Sequence, residues 1–422
     1  MSNAEQLTIA GDIVYDYAEL TNLDGFGIDV IPQILEIQLN EDIFGVFLNG
    51  TVTLLDSQNI RGLFPLTGKE IFRFKIHTPT LKDAIEGEFF IYSLSPSYDS
   101  TKRSSVYTLS FVSKESIYDE NLKVSKSFKG SPSEMMSELL GVSWLKSEKP
   151  FEADSTENTF GFVANFWKPS QCIQYILGHS KNHKGAPDFL FYETKNGFKF
   201  KSIETLITEG DGVLQSFEKS DYENTMNGKN SLYRDIERDY RTILSINDLS
   251  GFNYYDRIRE GYFGGQVMTY DGTIQRYTAK SLSRSFDMDS HLNPYPPITK
   301  NVPVSTQANI STLSKAYNNI DGFGNVSNYD LVAPRKEIIS RLKTTKLIIQ
   351  VYGRSDYIAG KRAVVKINKN AQIENGEDPY DPLTSGVYLI SAIKHILTPN
   401  SHKCNIELIK DSFIESIEKI RK

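Results

Sequence analysis

The reading of the fold turns on residues 41–76, EDIFGVFLNGTVTLLDSQNIRGLFPLTGKEIFRFKI. They read as two β-strands joined by a loop. In the first, Val46, Leu48, Val52 and Leu54 share one parity, while Asn49, Thr51 and Thr53 hold the other. In the second, Phe72, Phe74 and Ile76 alternate with Arg73 and Lys75. Successive side chains of a strand point to opposite faces, so a period of two predicts a sheet with one buried face and one wet face. Asp56-Ser57-Gln58-Asn59 and Pro65-Leu66-Thr67-Gly68 between them are turn chemistry. Nothing in the stretch is catalytic; it reads as a piece of sheet whose purpose is assembly.

Outward from this stretch, residues 5–125 read as all-β. Residues 33–39 alternate, with Leu35, Ile37 and Leu39 on one side. Residues 89–94 form a short apolar strand, and 106–112 turn Tyr107, Leu109 and Phe111 inward. Residues 96–105, PSYDSTKRSS, read as a solvated hairpin tip. Several strands at even spacing with Gly, Pro and Asp turns predict a barrel or a sandwich.

The next region mixes helices and strands. Ser131-Pro132-Ser133-Glu134 carries an N-cap serine, a proline at the first helical position and a glutamate three residues after the cap. The helix it starts buries Met135, Met136, Leu139 and Leu140 and stops at Gly141. Residues 147–158 show no periodicity and read as a linker, and a second helix starts at Pro169 with Ile173, Ile176 and Leu177 as its stripe. Lys195-Asn196-Gly197 between apolar runs 188–193 and 197–203 is a strong hairpin signal.

Further on, 239–247 reads as a strand, 253–261 as a short helix and 266–282 as a hairpin turning at Asp271-Gly272. Residues 287–329, rich in Asn, Ser, Pro and Gly, read as a long surface excursion. A helix over 335–342 and strands at 347–352, 362–367, 386–396 and 403–410 make a second all-β unit, in which Cys404, Ile406 and Leu408 oppose Lys403, Asn405 and Glu407. Residues 413–422 suggest a turn or two of helix.

The totals bound the function. A chain of 422 residues exceeds one ordinary core, so two to four domains are expected. Hydrophobic content of 39% with 12% aromatics is globular, and no apolar run approaches the ~18–20 residues of a membrane helix. The opening MSNAEQLTIAGDIV lacks a basic region followed by an apolar core, so no secretory signal is expected. Two cysteines, Cys172 and Cys404, make no disulfide framework and fit assembly in a reducing cytoplasm. A formal net charge of -6 argues against a grip on nucleic acid, which needs concentrated positive charge.

Each chemistry-bearing group has a plain structural reading beside it. His179 and His183 sit four apart, but no glutamate follows the first, and Gly178 places them near a helix end. Asp287-Met288-Asp289-Ser290-His291 begins like a calcium loop without its glycine and closing glutamate. Asp24-Gly25-Phe26-Gly27 and Asp321-Gly322-Phe323-Gly324 read as turns. Cys172 sits beside Ile173 on an apolar stripe, as a buried thiol does. Glu41-Asp42 is a carboxylate pair of the kind glycoside hydrolysis uses, yet 53 acids make such neighbours inevitable. Of Phe166-Trp167, an aromatic pair that could be a platform for sugar or nucleic acid, the tryptophan reads as core. No catalytic, cofactor or metal residue is expected.

Four segments in order, residues 41–76, VSKSFKGSPSEMMSELL (124–140), FVANFWKPSQCIQYILGHS with FLFYETKNGFKF (162–200), and SGVYLISAIKHILTP with CNIELIKDS (385–412), resemble the central baseplate hub proteins of contractile-tailed bacteriophages. The resemblance spans most of the chain. It implies a mainly β, α+β chain with two tail-tube-like antiparallel β-barrel domains, an α+β middle domain and an inserted loop-rich segment. The expected boundaries are 1–125 for the first barrel, 126–235 for the middle domain, 236–250 with 334–412 for the second barrel, 251–333 for the insertion and 413–422 for a tail.

The function implied is structural and non-enzymatic, with no cofactor. A homotrimer presents a pseudo-sixfold ring to the hexameric tail tube protein and a threefold seat to a trimeric tail spike, within surrounding baseplate wedge proteins. Genomic DNA passes through its channel without specific binding, and the location is the virion, after assembly in the host cytoplasm. Asn49, Thr51, Thr53, Arg73 and Lys75 are then expected to line the channel or touch a neighbouring barrel. A hub of a contractile injection or secretion apparatus is the related alternative. The sequence up to Lys422 lacks the repeated short β motifs of an attached spike, which favours a separate spike protein. A tail-associated peptidoglycan hydrolase is the alternative of another class.

Overall fold

The computed structural model describes residues 9–22, 25–57, 60, 64, 66–95, 98–101, 104–208, 213–219, 236–250, 254–260, 262–263, 265–271, 275–282, 290–296, 308–313, 329–369 and 378–416. The chain opens with strands β1 (Val14–Thr21), β2 (Gly27–Asp29), β3 (Ile34–Asp42), β4 (Asn49–Asp56), β5 (Ile71–His77), β6 (Ala84–Leu94), β7 (Tyr98–Thr101) and β8 (Ser104–Ser113). Helix α1 (Lys114–Asn121) leads to β9 (Val124–Gly130), α2 (Pro132–Leu140), β10 (Phe151–Ala153), β11 (Phe160–Trp167), α3 (Pro169–His179), β12 (Phe189–Thr194), β13 (Gly197–Ser202) and α4 (Ile203–Thr208). Then come β14 (Val213–Glu218), α5 (Ile236–Arg241), β15 (Ser245–Asp248), α6 (Tyr254–Glu260), β16 (Gly265–Asp271), β17 (Arg276–Leu282) and β18 (Ala308–Leu313). Helix α7 (Tyr329–Leu342) precedes β19 (Thr345–Tyr352), β20 (Arg362–Lys366), β21 (Gly386–Thr398) and β22 (Ser401–Lys410).

The fold is mainly β, dominated by one large, largely antiparallel sheet. Among the described residues it holds 14 strands, ordered β15-β19-β22-β21-β3-β4-β8-β6-β5-β1-β2, with β20 and β14 branching from β21 and β7 on β8. Two separate closed barrels, expected from the sequence, are not what these strands form. The N-terminal and C-terminal strands fuse instead through β3 and β21, paired antiparallel from Ala392 opposite Asp42 to Leu397 opposite Ile37. Both strands are long enough to serve a neighbour on each side, so the ladder runs on where a barrel would close.

Each half of the sheet curls over its own core. Ile37, Leu39, Val52, Leu54, Phe72, Phe74, Phe89, Tyr107, Leu109 and Phe111 fill the first. Within it Phe72, Phe74, Phe89 and Phe111 form an offset aromatic cluster, with the Phe89 and Phe111 ring centroids 4.9 Å apart. Gly50 lies opposite Phe111, and a Cβ there would stand 2.4 Å from that ring and 2.2 Å from the Gln38 carbonyl. Only glycine lets the ring lie flat on the sheet at that point. Leu347, Ile349, Val351, Val365, Ile390, Ile393, Cys404, Ile406 and Leu408 fill the core of the other half. At about 1.5–3 kcal/mol per fully buried large apolar side chain, these alternating parities dominate the stability of both halves.

Helices α2 and α3 and two of the smaller sheets pack around a core of their own. The hairpin β12–β13 takes β10 in parallel, and β9 pairs with β11. Ser131 caps α2 as the sequence predicts: its hydroxyl accepts from the Glu134 N–H and its own N–H donates to the Glu134 carboxylate. Met135, Met136, Leu139 and Leu140 of α2 meet Cys172, Ile173, Ile176 and Leu177 of α3 in one core.

Several local expectations are corrected. Residues 43–48, read as strand, are a bend that distributes its side chains: Ile43 and Phe44 go to a core with α4 and α7, Val46 and Phe47 to the α2–α3 core, and Leu48 to the first sheet core. Leu35 is exposed because a bulge between Ile34 and Glu36 flips the parity of β3. Residues 151–153 of the expected linker are β10, and 160–167 form a strand ahead of α3. The expected strand at 239–247 is divided between α5 and β15, and 98–101 of the expected hairpin tip are β7. Helix α7 begins at Tyr329 with Pro334 inside it, although proline usually marks a helix start.

Within the expected surface excursion, β18 pairs in parallel with β16. Residues 291–295 dock on the end of β22, where the Leu292 N–H donates to Asp411 (3.1 Å) and Tyr295 bridges to Phe413. β14, within 126–235, joins the large sheet through β20.

Candidate functional site

The face of the large sheet opposite its cores crosses both halves without interruption. The register carries it from Ser245 and Asn247 on β15 to Ile348 and Gln350 on β19, then to Asn405 and Glu407 on β22. Lys394 and Ile396 on β21 continue it to Gln38 and Asn40 on β3, and from there to Asn49, Thr51 and Thr53 on β4. Thr108 and Ser110 on β8 follow, and beyond β6 come Arg73 and Lys75 on β5 and Glu19 and Tyr17 on β1.

The face is polar but not basic. Its middle is a hydroxyl and amide ladder: Asn40 donates to Asn49 (2.9 Å), the Thr53 and Thr108 hydroxyls meet at 3.0 Å, and Gln350 donates to Asn405 (3.1 Å). Three of its ion pairs are opposite-sign neighbours: Arg73 with Glu88 at 2.9 Å, Lys75 with Glu86 at 3.0 Å, and Lys346 with Glu407 at 2.6 Å, while Lys394 stands between Asn40 and Asn405. Such pairs add little stability, but each cancels its own field on the face.

The groups singled out from sequence fall in separate places. Glu41 is fully buried and accepts the N–H groups of Lys195 (3.0 Å) and Ala359 (2.9 Å), while Asp42 is exposed and accepts from the Phe44 N–H (2.8 Å). Consecutive strand residues face opposite sides, so the two carboxylates share no site. Burial raises the Glu41 carboxyl above its ordinary range. Its place at the meeting of three segments reads as structural.

Cys172 lies within the α2–α3 core, its thiol pushed up to about 11 by burial and by Asp119. His179 is buried with Nδ1 2.7 Å from the Tyr175 carbonyl, while His183 is exposed beyond the end of α3. Trp167 packs against Phe162 and Tyr175, as expected of a core tryptophan; a bulge beside it turns Phe166 outward. Gly25 occupies a left-handed turn with φ +82°, but Asp24, residues 287–289 and the second DGFG at 321–324 lie outside the described residues. His291 pairs with Asp411 at 2.6 Å.

One cluster was not anticipated. His395 of β21 lies directly opposite Cys404 of β22, and His402 precedes Cys404 by two residues on the same face. All three side chains are buried, with their ligand-type atoms within 4.8 Å of one another. Burial holds both imidazoles below their ordinary value, His402 down to about 3, and raises the Cys404 thiol. The H-x-C spacing, read together with the hairpin that pairs 386–396 with 403–410, was the available signal.

No protein-family profile and no curated protein matches the sequence. Solved structures do match. The chain is similar to the 43 kDa tail protein of prophage MuSo2 from Shewanella oneidensis, with a TM-score of 0.55 at 9% identity, over 94% of this chain and 99% of that one. It is similar to the tail protein from Neisseria meningitidis MC58, with a TM-score of 0.53 at 11% identity, over 94% and 96% of the two chains. The fold is thus that of phage tail proteins along nearly the whole chain, in agreement with the resemblance seen in the sequence.

Proposed function

We propose that the chain is a structural, non-enzymatic hub of a contractile-tail baseplate, acting as a ring of three copies. The observation that carries this reading is the sheet itself. It is one continuous sheet with two unlike ends, β2 and β15; among the described residues no strand lies on the outer side of β2, and at the other end only Thr242 and Ile243, just before β15, meet Glu218 of β14, leaving β15 itself uncovered. Exposed apolar residues sit at both ends: Phe26 beside β2, and Leu244 and Leu249 flanking β15. An open sheet with unlike ends can be continued by a copy of itself, and a head-to-tail arrangement that closes forms a ring.

In this reading the strands within 1–125 and those within 236–250 and 334–412 are two tail-tube-like units, with 126–235 as the middle domain, 251–333 as an insertion and 413–422 as a tail. Two similar units per chain and three chains give six units around one axis. Such a ring meets a hexameric tail tube protein on one side and a trimeric spike on the other, inside the baseplate wedge proteins of the virion. The continuous polar face then lines the channel. Its balanced charges and neutral amides suit passage of DNA, a polyanion that a basic lining would retain.

Light scattering on the purified chain tests this. A particle of three times 47.8 kDa, alone or with a trimeric spike protein, is the expected result. A chain that stays monomeric at high concentration and with the spike present overturns it.

A further inference from the structure

We propose that His395, His402 and Cys404 form a binding site for one metal ion of filled d shell, three-coordinate Cu+ ahead of Zn2+, which would need a fourth ligand. The three atoms that face one another are His395 Nδ1, His402 Nε2 and Cys404 Sγ. The two nitrogens are 3.0 Å apart, and the sulfur is 3.3 Å from each. A three-coordinate ion bound at the usual ~2.0 Å to nitrogen and ~2.3 Å to sulfur needs its ligand atoms roughly 3.5–3.7 Å apart. Each side of the triangle needs to open by roughly half an ångström.

The alternative is a hydrogen-bonded triad without an ion. The thiol and one imidazole N–H supply at most two hydrogens for three close contacts when both rings are neutral. Among the described residues His395 Nε2 is buried with no hydrogen-bond partner, so none of them fixes the tautomer of that ring. If its proton sits on Nε2, Nδ1 presents a lone pair to the triangle. His402 already has its Nε2 aimed there. A thiolate selects Cu+ and Zn2+, and neutral imidazoles suit both ions.

The surroundings support a small net charge. Lys195, whose ammonium reaches the Ser355 carbonyl, lies near both histidines and the thiol, with Glu41, Asp356 and Asp83 as its compensating acids. A thiolate with two neutral imidazoles makes a Cu+ complex neutral and a Zn2+ complex singly positive, and the first fits better beside a lysine in a dry site. The backbone also leaves room for the rings: a Cβ on Gly353 would stand 2.2 Å from the His402 ring.

The site lies where the halves of the sheet meet. Leu397, two residues after His395, belongs to the first core, and Cys404 belongs to the second. An ion there would pin the β21–β22 hairpin at that seam, and its binding free energy would add to folding.

The test uses the full chain, unfolded and refolded anaerobically with Cu+, Zn2+ or Co2+, then dialysed against a competing chelator. One equivalent of Cu+ or Zn2+ retained per chain is expected, and X-ray absorption should show one sulfur and two nitrogen neighbours. Which ion survives the chelator decides between copper and zinc. Cys404→Ser and His402→Gln should each weaken retention at least tenfold, while Cys172→Ser leaves it unchanged. If the Cys404 and His402 variants fail to fold, the absorption spectrum of the native protein still reads the ligand set. No retained ion, or an ion with no sulfur neighbour, overturns the proposal.

Discussion

Glu193 offers the sharpest test of how the middle region is fastened to the large sheet. It lies on β12 with its side chain wholly buried, accepting the Leu48 N–H (2.9 Å) and the Ser113 hydroxyl (2.7 Å) while pairing with the Lys149 ammonium at 2.5 Å. Leu48 is the residue before β4, so this carboxylate clamps the start of that strand to β12. Burial by itself would depress the Lys149 ammonium, but Glu193 and Glu115 more than offset it and hold it above its ordinary value.

Removing one partner of a buried pair costs about 3–5 kcal/mol when the other charge is stranded. Here Lys149 keeps Glu115 at 2.7 Å, and its side chain is 33% exposed, which reduces the penalty. The orphaned Leu48 N–H adds about 1–3 kcal/mol. Glu193→Ala should therefore destabilise by about 2–4 kcal/mol, and Glu193→Gln, which keeps an acceptor, by about half as much. Urea unfolding followed by tryptophan fluorescence reads this, since Trp144 and Trp167 both pack on the α2–α3 core that β12 joins. A loss below about 0.5 kcal/mol for the alanine variant, or a larger loss for glutamine than for alanine, would refute the clamp.

Three further outcomes are expected. Lys410 is buried and donates to the Leu383 (2.7 Å) and Ser385 (2.8 Å) carbonyls, with burial pushing its pKa down to about 7. Between that value and its unfolded value near ~10.4 the unfolded chain binds the extra proton, so this lysine makes stability rise with pH, by about 2 kcal/mol from pH 7 to 9. Denaturant titrations of native protein and Lys410→Met at both pH values should differ by that increment; parallel curves contradict the assignment. Gly50→Ala should cost about 1–3 kcal/mol by forcing Phe111 off the sheet, and a neutral result in thermal unfolding would remove the close-approach argument. Phe26→Asp, at a residue 60% exposed in the single chain, should weaken trimer formation about 30-fold or more in sedimentation while costing the monomer only its stacking on Phe64, about 0.5–1.5 kcal/mol.

Parity made much of this legible. Phe72, Phe74 and Ile76, and Cys404, Ile406 and Leu408, are buried as their alternation predicts, because one face of each strand has a core to meet. The cap at Ser131 and the Asn196-Gly197 hairpin were readable because both depend on neighbours in sequence. The failures have a common cause. Val46 and Leu48 keep the alternation of a strand, yet the chain bends there and sends them to different cores, a choice made by distant residues such as Glu193. Leu35 was misplaced by a bulge, which inserts one residue without altering composition. The fusion of β3 with β21 was out of reach because long-range pairing leaves no local mark. The His395, His402 and Cys404 cluster was halfway: parity put His402 with Cys404, and only the register added His395.

The central claim is that three copies continue this sheet into a ring whose inner wall is its polar face. Electron cryomicroscopy of the purified oligomer, alone or with a trimeric spike protein bound, tests it most directly. The predicted map has three chains around an open channel, with Gln38, Thr51, Lys394 and Asn405 on the wall and Phe26 at a contact between chains. A map in which that face points outward, or in which the chains meet elsewhere and enclose no channel, would contradict the account.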